Sequence, residues 1–362
     1  MVLIIIIAAI LLVYLITIIL FKNGLKKVFI PTLTDAINIK VSIVISAKNE
    51  ERNLENLIKA LDEQEYPKEF FEVIIVDDNS KDATLAKTKS LISEKHNFTV
   101  ISNTNPDLPP KKGALALGIE NANNDFILIT DADCTPLPGW INTFVSKFRD
   151  GYDFIFGIAP FNEQNSSDIN SFACFDNLRS TLLTFSASGL GMPFSASARS
   201  FGFKKDSFNR IGGYKNTFQT LGGDDDLLLQ AAIKNNLSIG TVTDRQAFVY
   251  SNSPFTFKEF IAQKKRHIKT SHYYLLKNKL LVGYWHTINL LCFISILLVP
   301  FSIYFLALFA TKMIADFYTI KNRQSDLAYN FYDYEIPLFQ FLYELLVVFH
   351  FINSFTTLKR WR

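Results

Sequence analysis

Asp131 and Asp133, separated by one residue, are the sharpest chemical signal in this 362-residue chain. Their carboxylates are hard oxygen ligands, which suit Mg²⁺ or Mn²⁺ rather than zinc. A divalent cation between them can neutralise a leaving nucleoside diphosphate. A second cluster, Asp77-Asp78-Asn79-Ser80, offers a carboxylate able to accept the N3–H of a uracil. Asn49-Glu50 and the run Asp224-Asp225-Asp226 complete the acidic set. Cys134, Cys174 and Cys292 have neither zinc-site spacing nor a disulfide framework, and read as free thiols in a reducing cytoplasm. G-x-G-x-x-G and G-x-x-x-x-G-K-[ST] are both missing, which argues against a standard dinucleotide fold and a P-loop NTPase.

These acids need elements to position them. Val41 to Ser46 is a short β-branched run, hence a strand. Helical spacing follows over Glu50 to Leu61. Val73 to Val76, Phe98 to Ile101 and Phe126 to Thr130 are further strands. Ala83 to Lys95 and Ala114 to Ala122 are further helices, with a break over Pro106 to Pro110. The alternation predicts an α/β domain, a mostly parallel sheet with helices on both faces. Ligands of such sheets bind beyond the carboxyl ends of the strands. Glu50, Asp78, Asp131 and Asp133 all follow strand ends.

Composition places this domain between apolar segments. Hydrophobic residues make up 49% of the chain and charged residues 20%, so part of it is expected in lipid. The net charge of +3 gives no reason to expect a nucleic-acid partner. Met1 to Phe21 carries no charge and would form a helix ~31 Å long, enough to cross the hydrocarbon core. Lys22, Lys26 and Lys27 follow it, which predicts an anchor with its C-terminal side in the cytoplasm. Leu281 to about Tyr318 is one kinked span or two spans meeting near Pro300. Ile336 to Leu358 is the last span, with a basic tail from Lys359 to Arg362. Three spans are expected in total, with four as the alternative. Glu344 and His350 fall inside the last span and should face protein, Glu344 protonated or paired. The expected organisation is an anchor over 1–22, a catalytic domain over 40–255, a basic interfacial helix over 256–280 and a membrane region over 281–358.

The ordered series VSIVISAKNEE (41–51), IIVDDNSKDAT (74–84), KKGALALGI (111–119), ITDADC (129–134), GGDDDLLL (222–229) and QKKRH (263–267) resembles the family 2 glycosyltransferases of GT-A fold. The likeness covers about residues 40 to 270. The flanking apolar segments resemble the membrane-anchored branch of that family. The resemblance implies a nucleotide-sugar pocket lined by Ser46, Glu50, Asp78, Lys111 and Asp131, with Lys112 able to substitute for Lys111. It implies Asp131 and Asp133 as ligands of Mg²⁺ or Mn²⁺. The family's E-D-x-D-L pattern puts the base at Asp224, with Asp225 as alternative because Gly223 replaces the usual Glu. Gln263 and Arg266 match Q-x-x-R-W and would bind the diphosphate. His267 replaces the tryptophan at the acceptor, with less area for stacking.

The implied reaction is inverting transfer of a sugar, UDP-linked by preference, to a lipid-linked or polysaccharide acceptor at a bacterial inner membrane. The catalytic domain would face the cytoplasm and touch membrane lipids. A polyprenyl-phosphate glycosyltransferase, a processive polysaccharide synthase and a non-catalytic membrane scaffold remain as alternatives.

Overall fold

A computed structural model describes residues 2–32, 39–103, 109–163, 167–217, 220 and 222–355. Helix α1 (Val2–Val28) leads to β1 (Val41–Ala47), α2 (Leu54–Asp62), β2 (Phe71–Asp77), α3 (Thr84–Leu91), β3 (Phe98–Ser102) and α4 (Pro110–Asn121). Then come β4 (Phe126–Ile129), β5 (Cys134–Pro136), α5 (Trp140–Arg149), β6 (Phe154–Gly157), α6 (Asp168–Gly189), β7 (Phe201–Lys204) and α7 (Lys205–Arg210). The chain continues through α8 (Asp226–Lys234), β8 (Ile239–Val242), β9 (Val249–Ser251) and α9 (Phe257–Ser271). It closes with α10 (Leu276–Ile294), α11 (Tyr304–Arg323) and α12 (Glu335–Ser354).

The main sheet has seven strands in the order β3-β2-β1-β4-β7-β6-β8. β1, β2, β3 and β4 pair in parallel, β7 runs antiparallel to β4 and β6, and β8 is parallel to β6. The expected α/β architecture is therefore present, with one reversed strand. β1 shows why its run was readable. Val41, Ile43 and Ile45 enter one apolar cluster and Val44 enters the other, so both faces are buried. A long-range pair, β5 with β9, forms a separate two-stranded antiparallel sheet.

Three expected helices are shifted in the structure. The first starts at Leu54 rather than Glu50, because Asn49 takes a positive φ of 58° and residues 51–53 form turns. The second ends at Leu91 rather than Lys95. The third begins four residues early, at Pro110, where proline suits a first helical position.

The apolar stretch around Pro300 is two helices, α10 and α11, broken near that proline. Among the described residues three helical segments are long and apolar enough to cross a membrane, Val2–Val28, Leu276–Leu298 and Glu335–Ser354. α11 lies among them and carries charges that they share. Lys312 Nζ lies 2.6 Å from Asp316 Oδ2 and 2.7 Å from Glu344 Oε1 of α12. Arg179 of α6 reaches Asp316 at 3.4 Å, and Gln340 donates to Glu344 at 2.8 Å. Glu344 thus faces protein and is paired, and His350 is buried as well. The basic tail from Lys359 lies outside the described residues.

α6 joins this bundle to the sheet. Gly24 of α1 and Gly189 of α6 touch so closely that a Cβ on Gly189 would lie 2.0 Å from the Gly24 carbonyl oxygen. One apolar cluster consequently runs from Val44, Phe154 and Phe201 of the sheet, through Phe175 and Leu182 of α6, to Tyr14, Phe21 and Trp285.

Candidate active site

α4 sets the first piece of the site. A Cβ at Gly118 would lie 2.4 Å from a Val44 methyl, so glycine lets the helix press against β1. The first turn of α4 then projects beyond the strand ends, where Lys111 bridges two carboxylates. Its Nζ is 2.8 Å from Asp131 Oδ1 and 2.7 Å from Asp224 Oδ2. Burial alone would lower the lysine's pKa, but the two carboxylates reverse the sign and raise it well above the usual value. For Asp224 burial works upward, and Lys111 overcomes it to hold the carboxyl below its usual range. Lys112, by contrast, is fully buried and donates to the carbonyls of Thr217 and Thr220, with its pKa lowered by burial to about 8. It braces the segment before the three aspartates and does not enter the site.

The three aspartates separate cleanly. Only Asp224 meets Lys111. Asp225 caps α8, accepting from the Asp226 N–H at 2.7 Å and, through Oδ2, from the Ala198 N–H at 2.8 Å. Asp226 accepts from Ser195 Oγ at 2.7 Å and Tyr274 Oη at 2.6 Å. Burial and neighbouring aspartates push Asp225 well above the ordinary carboxylate range.

Asp131 and Asp133 follow β4, and β5 ties their loop to β9. Ligand atoms of Asp131, Asp133 and Cys134 all lie within 4.8 Å of one another. Desolvation and the Asp131 charge raise the Asp133 pKa. A dication would relieve that repulsion, so the two carboxylates fit a hard metal. Cys134 beside them is fully buried, and burial and the two aspartates push its thiol well above its usual pKa. Glu50 belongs to this group too. Its pKa is raised by burial and, among charges, by Asp133 and Asp131.

Asp78 forms a neighbouring subsite beyond β2. It is buried, accepts from Asn103 Nδ2 at 2.8 Å and pairs with Lys48 Nζ at 3.3 Å. The loops after β1 and β2 are laced together, with Glu50 N–H donating to Thr84 Oγ1 at 2.7 Å and Lys81 N–H to Asn49 Oδ1 at 2.8 Å. Ser46 is half-buried and pairs in register with Val76, two residues before Asp78.

α9 forms the other wall. A capping box of Thr256 and Glu259 starts it, and Phe260 seats it against Phe172 and His350. Gln263, Arg266 and His267 share one face at i, i+3 and i+4. Burial lowers the Arg266 pKa, against the opposing charges of Asp224 and Asp131, which act on the guanidinium electrostatically. Surrounding protein and then Lys264, Arg266 and Arg199 lower the His267 pKa, although its side chain remains exposed. Lys264 turns away to pair with Asp176 of α6.

Sequence reasoning missed two members. Arg199 lies over the Phe161 ring at 4.7 Å, donates to Ser251 Oγ at 2.5 Å and acts on Asp133 and His267. It precedes β7 in no recognisable motif. Asn103 holds Asp78 from just beyond β3, and only its place after a strand hinted at that.

Residues 42–211 match the model of glycosyl transferase family 2. An uncharacterized glycosyltransferase of Synechocystis is 36% identical over 119 residues, 33% of this chain and 37% of that protein. A Campylobacter jejuni GalNAc(5)-diNAcBac-PP-undecaprenol beta-1,3-glucosyltransferase is 29% identical over 118 residues, again 33% of this chain and 37% of the relative. The matches thus span well under half the length of these relatives. The structure of a Pyrobaculum calidifontis mannosyltransferase, in complex with GDP-Man and Mn²⁺, superposes with a TM-score of 0.62 at 14% identity. That superposition takes in 96% of this chain and 94% of the other, a likeness of fold.

Proposed function

We propose, from the premise that this chain is a glycosyltransferase of family 2, that it transfers a sugar from a nucleotide-sugar donor to a lipid-linked acceptor at a membrane surface, with inversion. The observation that carries this reading is Lys111 bridging Asp131 and Asp224 beyond the strand ends. Asp78 accepts from the base of the nucleotide, UDP by preference, while Lys48 and Asn103 hold its carboxylate in place. Ser46 and Glu50 line the nucleoside side. Asp131 and Asp133 are the ligands for Mg²⁺ or Mn²⁺, which when bound offsets the charge of the diphosphate. Gln263 and Arg266 present donors to the same diphosphate from α9, and His267 faces the acceptor.

Asp224 serves as base. The acceptor hydroxyl attacks the anomeric carbon, its proton passes to the Asp224 carboxylate, and the bond to the nucleoside diphosphate breaks on the opposite side. Lys111 keeps that carboxylate ionised before the donor arrives. An incoming diphosphate offers the lysine another anion, which frees Asp224 as a stronger base.

The membrane reading draws on the three long apolar helices and on Lys22, Lys26 and Lys27 after the first. It puts the catalytic domain on the cytoplasmic side of a bacterial inner membrane. The undecaprenol-linked substrate in the name of the Campylobacter relative supports a lipid-linked acceptor.

Product analysis tests the proposal. The detergent-purified chain is incubated with labelled nucleotide sugars, Mn²⁺ and lipid diphosphate acceptors. A label stable to mild acid at the sugar–sugar bond is expected. A label wholly released as an acid-labile sugar phosphodiester would point to a polyprenyl-phosphate acceptor instead, and no transfer from any donor would sink the reading.

A further inference from the structure

A cavity of about 750 Å³ lies far from the carboxylates. Tyr152, ahead of β6, and Ile239 and Gly240, which open β8, form part of its wall. β4 and β6 point the same way, since both are antiparallel to β7. The cavity is therefore at the amino ends of the strands, and Asp131 and Asp133 are beyond the carboxyl end of β4. The remaining wall comes from the end of α1, Lys147 of α5, the end of α6, the end of α8 and the start of α10.

Its charge is one-sided. Lys27, Lys147 and Lys277 line it, and no aspartate or glutamate does. Among the described residues Lys27 and Lys277 have no carboxylate within ion-pair distance, and Lys147 reaches only Asp150 at 3.9 Å. Three cations around one concavity repel each other, and an anion inside would remove that cost.

Its depth is informative too. Lys27 is six residues past Phe21, the end of the charge-free run, and so lies ~9 Å beyond it along the helix. Lys277 precedes Leu281, the start of the second charge-free run, by ~6 Å. Headgroups occupy about that thickness outside the hydrocarbon core. Ile16 and Leu20 of α1 and Leu280 and Tyr284 of α10 are exposed apolar side chains adjoining this level.

We propose that this cavity seats the phosphate headgroup of an anionic phospholipid, with the acyl chains lying along the outer faces of α1 and α10. The lipid is structural. Held at the amino ends of the strands, it cannot present a hydroxyl to Asp224. The inference rests on the membrane attachment proposed above and not on the transferase chemistry.

The test uses the full chain in nanodiscs of phosphatidylcholine with a minor fraction of phosphatidylglycerol, with bound lipid read by native mass spectrometry. One retained phosphatidylglycerol per chain is expected. In Lys27→Gln/Lys277→Gln its affinity should fall by about tenfold or more, as expected for two lysines near an anionic headgroup. Lys258→Gln/Lys269→Gln removes two charges from α9, outside the cavity, and should leave retention unchanged. An equal loss in both variants would mean general surface charge and overturn the site. Displacement of the lipid by millimolar inorganic phosphate would assign the cavity to a free anion instead. Unfolding temperature in neutral detergent should match across variants, and a variant that fails this is replaced by Leu281→Trp, which narrows the cavity and should also expel the lipid. Flotation with pure phosphatidylcholine vesicles separates the two readings. A chain that floats yet retains no phosphatidylglycerol defeats this inference alone, and a chain that does not float defeats the attachment as well.

Discussion

Asp224, Asp225 and Asp226 are chemically identical in sequence and structurally distinct, which makes them the best place to test the chemistry. Asp224→Asn keeps the size of the side chain and loses the ability to take a proton. Turnover should fall by roughly 10²–10⁴ with donor affinity nearly kept. Asp225→Ala removes the α8 cap and should cost about 1 kcal/mol of stability, seen as earlier thermal unfolding, with a smaller loss of turnover. If Asp225→Asn is dead and Asp224→Asn active, the base is the neighbour. Lys111→Gln tests the ion pair. Asp224 is depressed by Lys111, so its paired form contributes stability above the unfolded carboxylate pKa and loses it as pH falls through the lower folded value. Without the lysine, burial acts unopposed and raises the pKa. The acid limb of a kcat–pH profile should then move to higher pH, and an unmoved limb would separate Lys111 from the base. Chelation by EDTA, or Asp133→Ala, should abolish turnover while the fold persists by circular dichroism. Full activity under either condition would leave the two aspartates as an acidic turn. The acids were legible because their spacing is regular after strands. Arg199 and Asn103 were not, because neither belongs to a motif: Arg199 precedes the central strand β7 and Asn103 follows the edge strand β3.

At the scale of elements, legibility followed burial pattern. β1, β2 and β4 are mostly aliphatic runs buried along nearly their whole length, which a strand explains, whereas the edge strand β3 (FTVIS) buries only Phe98. β6 (FIFG) and β7 (FGFK) are four residues each, with glycine among phenylalanines, and offer no period to read. Nor did the sequence mark the reversal of β7, which depends on the long return through α6. α6 mixes Asp176, Asn177 and Arg179 with phenylalanines because it faces both the sheet and the charged helices of the bundle. The buried network on α11 and α12 carries a sharp expectation. Lys312→Met leaves Asp316 and Glu344 facing each other with only Arg179 to compensate, and should cost about 3–5 kcal/mol. The double change Lys312→Met/Glu344→Gln should recover much of it, since it leaves Asp316 paired with Arg179 and no other charge in the group. Thermal unfolding in detergent gives the comparison. A single variant as stable as the parent would mean that water or lipid already reaches these groups.

At the scale of the molecule, α1 is more than a tether. Ile7, Tyr14, Ile18, Phe21 and Leu25 are buried in the cluster that also holds the sheet. Lipid is as apolar as these side chains, so at membrane depth they contribute through close packing against α6, α10 and α11 rather than through removal of apolar surface from water. Polar ties add direction. Ser186 Oγ donates to the Phe21 carbonyl at 2.8 Å, Thr243 Oγ1 to the Val28 carbonyl at 2.9 Å, and the Thr32 N–H to Asp244 at 2.9 Å. A fragment beginning at residue 40 would expose the α6 surface that these groups cover. It should aggregate or unfold well below the full chain, even in detergent, and lose donor binding with its fold. Restoring an unrelated apolar helix in place of residues 2–28 should return it to membranes without returning stability, because that helix would lack the close approach at Gly24. In the full chain, Gly24→Leu should reproduce part of the defect, since its side chain must enter space held by the Ser186 backbone, 2.2 Å from the new Cβ. If the fragment from residue 40 melts with the full chain and binds donor equally well, α1 is an anchor only, and the continuous core through α6 contributes nothing to the fold of the catalytic domain.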